Sequence, residues 1–208
     1  PLDAQDLGIE VATLAEVTSP QGQGVFRAIL TDRVQRRQVF APMHWTRQNS
    51  RNGHVNALVA PVTDPVSGQP ALKTTAVTVR SFAAGWYGFL ASENPIRVQS
   101  DYCAVARTAT GWTAELAGTA PPEDWEVFLG QLTDVTAGEV SRYSDPKSGQ
   151  TRLAVTCDGR IVALLFVGLT PVGLSRRNAV QSIGTLQPTM NALAGRSGDD
   201  IPDDGAIL

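Results

Sequence analysis

The chain has 208 residues, enough to bury a sizeable core. Its 42% hydrophobic and 18% charged content are those of an ordinary folded domain rather than a disordered chain. A net charge of -3, from 17 Lys+Arg and 20 Asp+Glu, gives no electrostatic reason to expect nucleic-acid binding. No apolar run approaches the ~20 residues that cross a bilayer, and the run Ile161 to Gly168 suits a buried strand. The start Pro1-Leu2-Asp3-Ala4 offers neither a basic nor an apolar export region, and a chain opening on proline reads as a fragment.

In chain order, Asp3 is placed to cap a very short helix that Gly8 ends. Thr13 to Ser19 and Val25 to Leu30 read as strands joined through the turn chemistry of Pro20 to Gly24. A third strand is expected at Gln38 to Phe40, then a polar loop from Met43 to Gly53, then a strand from Lys73 to Val79. The composition shifts near Arg80. A hairpin is expected over 97–117, turning at Thr110-Gly111, and a helix over Glu123 to Leu132, where Trp125, Phe128, Leu129 and Leu132 share one face. Strands follow at Glu139 to Tyr143, Thr151 to Thr156 and Arg160 to Val167, then a helix capped by Ser175 and interrupted by Pro188. The expected organisation is 1–80 mostly β, 81–196 a small antiparallel α+β domain, and 197–208 an acidic linker containing Asp199, Asp200, Asp203 and Asp204.

Some residue types are poor sites. Cys103 and Cys157 lie in alternating β patterns with no CxxC and no nearby histidine, so both are expected to be strand thiols in a reducing compartment. His44 and His54, ten apart without a carboxylate pattern, make a poor metal site, and His54 is expected at the surface. Asp145 and Glu115 are better explained by solvation than as a catalytic pair. There is no GxSxG, P-loop or Rossmann fingerprint, so no catalytic or metal-ligating residue is assigned.

A more specific pattern runs in order through Val39-Phe-Ala-Pro-Met-His-Trp45, Val55-Asn-Ala-Leu58, Thr63-Asp-Pro-Val-Ser-Gly-Gln-Pro70 and Leu72-Lys73, after the opening Pro1-Leu2-Asp3-Ala4. This set resembles the C-terminal end of the dinucleotide-binding domain of molybdopterin oxidoreductases, which include nitrate reductases and formate dehydrogenases. Trp112 to Gly118, Ser144-Asp145-Pro146, Gly159 to Phe166 and Leu193 to Arg196 are similar to the extension of assimilatory nitrate reductases.

The resemblance implies part of a double-psi β-barrel that holds a molybdopterin guanine dinucleotide, one of two on a molybdenum centre, followed by the α+β extension. It implies that Asn56 and Lys73 bind the cofactor and that His44 faces the substrate channel. The chemistry suits these roles. A carboxamide offers two donors and an acceptor, an ammonium suits a diphosphate, and an imidazole can hold an oxyanion or deliver a proton. It further implies a cytoplasmic parent enzyme reducing nitrate to nitrite, with an iron–sulfur cluster outside this chain and an electron-donor protein or reductase subunit as a partner. This chain alone is expected to be inactive. The alternatives are another bis-molybdopterin enzyme such as a formate dehydrogenase, or a non-catalytic module docking an electron-donor subunit.

Overall fold

A computed structural model describes residues 1–70, 74–135 and 137–195. The order of elements is α1 (Leu2–Asp6), β1 (Leu14–Ser19), β2 (Gly22–Arg27), β3 (Ser50–Arg51), a 3-10 turn (Val55–Ala57), β4 (Thr78–Ser81), β5 (Trp86–Ser92), β6 (Tyr102–Arg107), β7 (Trp112–Gly118), α2 (Trp125–Thr133), β8 (Glu139–Asp145), β9 (Gln150–Cys157), β10 (Arg160–Gly168), α3 (Arg176–Ser182) and α4 (Thr189–Leu193). The strands form two antiparallel sheets, a small one ordered β2-β1-β4 and a large one ordered β3-β6-β7-β5-β10-β9-β8. The mainly β, antiparallel character with a few helices is the class expected from the sequence.

The large sheet is the middle of three layers. One face carries Leu90, Leu116, Leu153 and Leu165, and α2 covers it with Leu129 and Leu132. Asp124 caps that helix by accepting from the backbone N–H groups of Glu126 (2.7 Å) and Val127 (3.2 Å). On the opposite face Phe89, Leu164 and Phe166 pack under Ala179 and Ile183 of α3 and Ala192 and Leu193 of α4. Further along this face Tyr102 and Ala117 meet Leu14 and Val25, so the small sheet completes the third layer. Burying an apolar side chain in such layers stabilises by roughly 1.5–3 kcal/mol each, so the large sheet is where the fold holds itself together.

Several local expectations need correction. The N-cap of α1 is Pro1, not Asp3; the Asp3 carboxylate instead accepts from the Arg37 backbone N–H at 2.6 Å and from Arg36 Nε at 3.1 Å. Those bonds, that to the Arg37 amide foremost, hold its carboxyl below the usual range. The hairpin turn is only Pro20-Gln21, with Ser19 facing Gly22, so β2 starts earlier and ends at Arg27. Gln38 to Phe40 forms no strand, because no neighbour offers it a ladder and Phe40 stays 72% exposed. Of the strand expected from Lys73 to Val79, Lys73 lies outside the described residues, and among residues 74–79 pairing with β1 begins only at Thr78. The central strand β5 was not foreseen. Trp86-Tyr-Gly-Phe-Leu-Ala-Ser92 is covered on both faces and so lacks the alternation by which a half-buried strand is read.

Candidate functional site

The segment with the chemistry singled out above runs from Asn49 to Leu58, and two sheets position it. From the large sheet, β3 pairs with β6 at Ser50–Ala104 and Arg51–Cys103, and the Val105 N–H donates to the Asn49 carbonyl at 2.7 Å. From the small sheet, the Val25 N–H donates to the Asn52 carbonyl at 2.6 Å. Three glycines lie along this approach. A Cβ on Gly22 would stand 2.7 Å from the Ala57 carbonyl oxygen, one on Gly24 would meet the Phe26 ring at 2.7 Å, and one on Gly53 would meet Ser50 Oγ. The Gly22 contact is with backbone that cannot swing away, so that position needs glycine for closeness rather than for a turn, whereas the Phe26 and Ser50 side chains beside Gly24 and Gly53 can rotate.

Asn56 lies within the 3-10 turn, exposed, and its carboxamide makes no hydrogen bond to another described residue. Its full set of donors and acceptor is therefore presented outward, while Leu58 just beyond it is buried and anchors the turn. His54, expected at the surface, is half-buried, and its Nδ1 is buried with no hydrogen-bond partner among the described residues. An orphaned buried nitrogen beside an open carboxamide fits a surface that takes a polar ligand. His44 is exposed in an irregular loop, on a different segment from Asn56. Lys73 lies outside the described residues. In kind, then, the residues present fit the edge of a polar heterocycle.

Next to this segment lies an open groove of about 230 Å3, with Glu16, Gln23, Asn52, Phe82, Asp101 and Thr119 on its walls. Its carboxylates are occupied. Glu16 pairs with Arg80 at 2.6 Å, and Asp101 Oδ2 accepts from the Thr119 backbone N–H (2.8 Å) and Oγ1 (2.9 Å).

Sequence reasoning missed one constellation. Glu115 on β7, taken as solvated, is largely buried and pairs with both Arg27 of β2 (2.9 Å) and Arg176 of α3. The Arg176 guanidinium also lies 5.3 Å over the Phe89 ring. The groups are 17–25% exposed, so this triad ties small sheet, large sheet and helix together where little water screens it. Nearby burial pushes the Tyr102 phenol up, with the Glu115 charge adding to it. The available signal was pairing register: Glu115 stands opposite Phe89 on the covered face. Asp145, by contrast, is a turn residue whose carboxylate accepts from Ser148 Oγ (2.7 Å) and the Lys147 N–H (3.0 Å). Cys103 is wholly buried, which pushes its thiol up to about 12 and makes it unreactive, and Cys157 donates to the Ala137 carbonyl. Among the described residues no cluster of three or more His, Cys, Asp or Glu could hold a metal ion, and no helix is long and apolar enough to cross a membrane.

With that geometry in hand, likeness to known proteins is informative. The chain is 39% identical over 128 residues, 61% of its length, to a nitrate reductase of Klebsiella oxytoca, of which the match covers 15%. It is 32% identical over 79 residues to the assimilatory nitrate reductase catalytic subunit of Bacillus subtilis (strain 168), and 34% identical over 74 residues to the putative formate dehydrogenase YrhE of the same organism. These matches span 38% and 36% of this chain and only 11% and 7% of those proteins. No solved structure matches. The segment that the two sheets hold, Asn56 included, falls within residues 1–76, the stretch that matches the family described as molydopterin dinucleotide binding domain.

Proposed function

We propose that the chain is part of a molybdenum oxidoreductase that reduces nitrate to nitrite. The observation that carries the nitrate reading is the reach of the likeness. The 128-residue match to the Klebsiella oxytoca nitrate reductase necessarily runs beyond the 76 residues of the family match, whereas the match to the putative formate dehydrogenase is no longer than that. In this reading the division 1–80, 81–196 and 197–208 separates a cofactor-holding part, an extension and a linker. The parent enzyme works in the cytoplasm in nitrate assimilation, and an iron–sulfur cluster elsewhere in it takes electrons from a donor protein. The cofactor is molybdenum bis(molybdopterin guanine dinucleotide).

When bound, that cofactor supplies two-electron chemistry at an oxyanion. This chain's own residues hold and orient. Asn56 offers its free carboxamide to the dinucleotide, Lys73 offers a cation to its polar groups, and the exposed His44 faces the channel for the oxyanion. The exposed setting of Asn56 and the orphaned His54 Nδ1 beside it support this assignment.

The test is made on the full-length polypeptide carrying this chain, purified with its cofactor and supplied in separate assays with a reduced one-electron dye plus nitrate, or with the oxidised dye plus formate. Dye oxidation that depends on nitrate, and no dye reduction by formate, is expected. Formate-dependent dye reduction without nitrate turnover would overturn the substrate, and neither activity in a protein containing molybdenum would overturn both enzymatic readings.

A further inference from the structure

The described part of the extension, residues 81–195, does more than follow the cofactor-holding half; it supplies a chain of bonds that ends four residues before Asn56. Thr119, just after β7, fixes the Asp101 carboxylate through its N–H (2.8 Å) and its hydroxyl (2.9 Å). That sets the Asp101 carbonyl, which accepts from Asn52 Nδ2 at 2.9 Å. One residue earlier Arg51 Nη1 donates to the Gln99 carbonyl at 2.6 Å. Asn52 itself has φ +62, a left-handed conformation that asparagine tolerates better than most residues, and it turns the chain from β3 toward the 3-10 turn bearing Asn56.

These bonds lie at exposed side chains, where a hydrogen bond contributes little to the global balance. Their geometric effect is local. With Leu58 buried at the far end, the Asn52 bond fixes the near end, and the five residues between have little freedom. We propose that the extension is a brace for the cofactor-facing segment and that Asn52, held through Asp101 by Thr119, is the positioning residue that sets the orientation of Asn56. The inference rests on the reading that Asn56 contacts the dinucleotide, and it gives residues 81–195 a role in holding that ligand rather than in docking another protein.

The experiment uses the full-length holoenzyme with four variants. Asn52→Gly keeps the left-handed backbone and removes only the bond. Thr119→Ala loosens Asp101 from outside the family-matched stretch, Thr119→Ser restores the hydroxyl, and Asn56→Ala removes the ligand contact. Amide hydrogen exchange of residues 53–58 is compared with that of β9 and β10, and loss of guanine nucleotide on prolonged dialysis is measured per polypeptide. Asn52→Gly should speed exchange at 53–58 by about fivefold, the factor for one lost hydrogen bond, with β9 and β10 unchanged. It should speed nucleotide loss by a similar factor. Thr119→Ala should act in the same direction and Thr119→Ser should not. Adding Asn52→Gly to Asn56→Ala should speed loss no further, since the first acts through the second. Unchanged exchange in Asn52→Gly overturns the brace. Faster exchange without faster loss, where Asn56→Ala does speed loss, overturns the positioning role while leaving the Asn56 contact standing. No effect of Asn56→Ala on nucleotide loss overturns the contact, and with it the brace toward that ligand.

Discussion

Residues 1–80 and 81–195 carry apolar side chains of similar kind, yet they use them differently. In the second region Leu90, Leu164, Leu165 and Phe166 sit on central strands with helices on both faces, all at most 1% exposed. In the first, Ile29, Val39, Phe40 and Val66 lie on irregular chain and stay 59–94% exposed. The stretch from Ala28 to Asn49 has neither strand nor helix. The difference lies in pairing rather than in composition. A backbone without a ladder cannot bring its side chains to a common face, so the same residue types leave no core behind. The second region holds itself; the first is held by it, through β3, the Glu115 triad and the bonds around Asn52.

The largest effect that would break this comparison comes from its strongest half. Leu165→Ala, on β10 and wholly buried, should cost about 3 kcal/mol of unfolding free energy, and Phe40→Ala less than about 0.5 kcal/mol. Urea denaturation of the chain measures both. A cost above about 2 kcal/mol at Phe40 would mean that the 28–48 stretch is packed in solution and that the contrast is wrong.

The join between the regions should show the next largest effect. Glu115→Ala leaves Arg27 and Arg176 facing each other in a poorly hydrated site, for an expected loss of about 2–3 kcal/mol. Glu115→Gln keeps one acceptor and should cost less. Limited proteolysis sharpens the point: cleavage in residues 1–80 should accelerate in Glu115→Ala before β9 and β10 become accessible. Equal acceleration everywhere would show that the triad serves the whole fold rather than the join.

How far the sequence revealed this depends on whether a residue's surroundings were local. The hairpin of β6 and β7, the strands β8 to β10, the helix expected over Glu123 to Leu132 and the Ser175 cap were legible, because alternation, helical spacing and caps are set within a few residues, although that helix starts at Trp125 with Asp124 as its cap. β5 was hidden because burial on both faces erases the alternation. Glu115 was misread because its two arginines are 88 and 61 positions away in sequence, as the numbering of Arg27 and Arg176 shows. For the candidate site, the ordered motifs pointed to Asn56 and its neighbours. The role of Gly22 as a point of backbone contact with Ala57, and of Asn52 as a link to the second region, exists only once the chain is folded.

The smallest expected effect concerns the turn at Asp64, which the comparison predicts to be local in all its consequences. Its carboxylate Oδ1 accepts from the Ser67 N–H (2.7 Å), Ser67 Oγ (2.9 Å) and the Val66 N–H (3.1 Å), and Gly68 takes the left-handed φ of +69 that closes the turn. These bonds, that to the Ser67 amide foremost, hold the carboxyl below its ordinary value. A carboxyl depressed in the folded state contributes stability above its unfolded pKa of about 4 and loses it as pH falls through the lower folded value. Amide exchange at Val66 and Ser67, corrected for its intrinsic pH dependence, should therefore lose protection on acidification below about pH 4 while β9 and β10 keep theirs. Asp64→Asn, which keeps a neutral acceptor, should show weaker protection at neutral pH and no such loss in acid. If the strands lost protection together with the turn, residues 63–70 would be coupled to the second region after all, and the division of labour between the two regions would have to be redrawn.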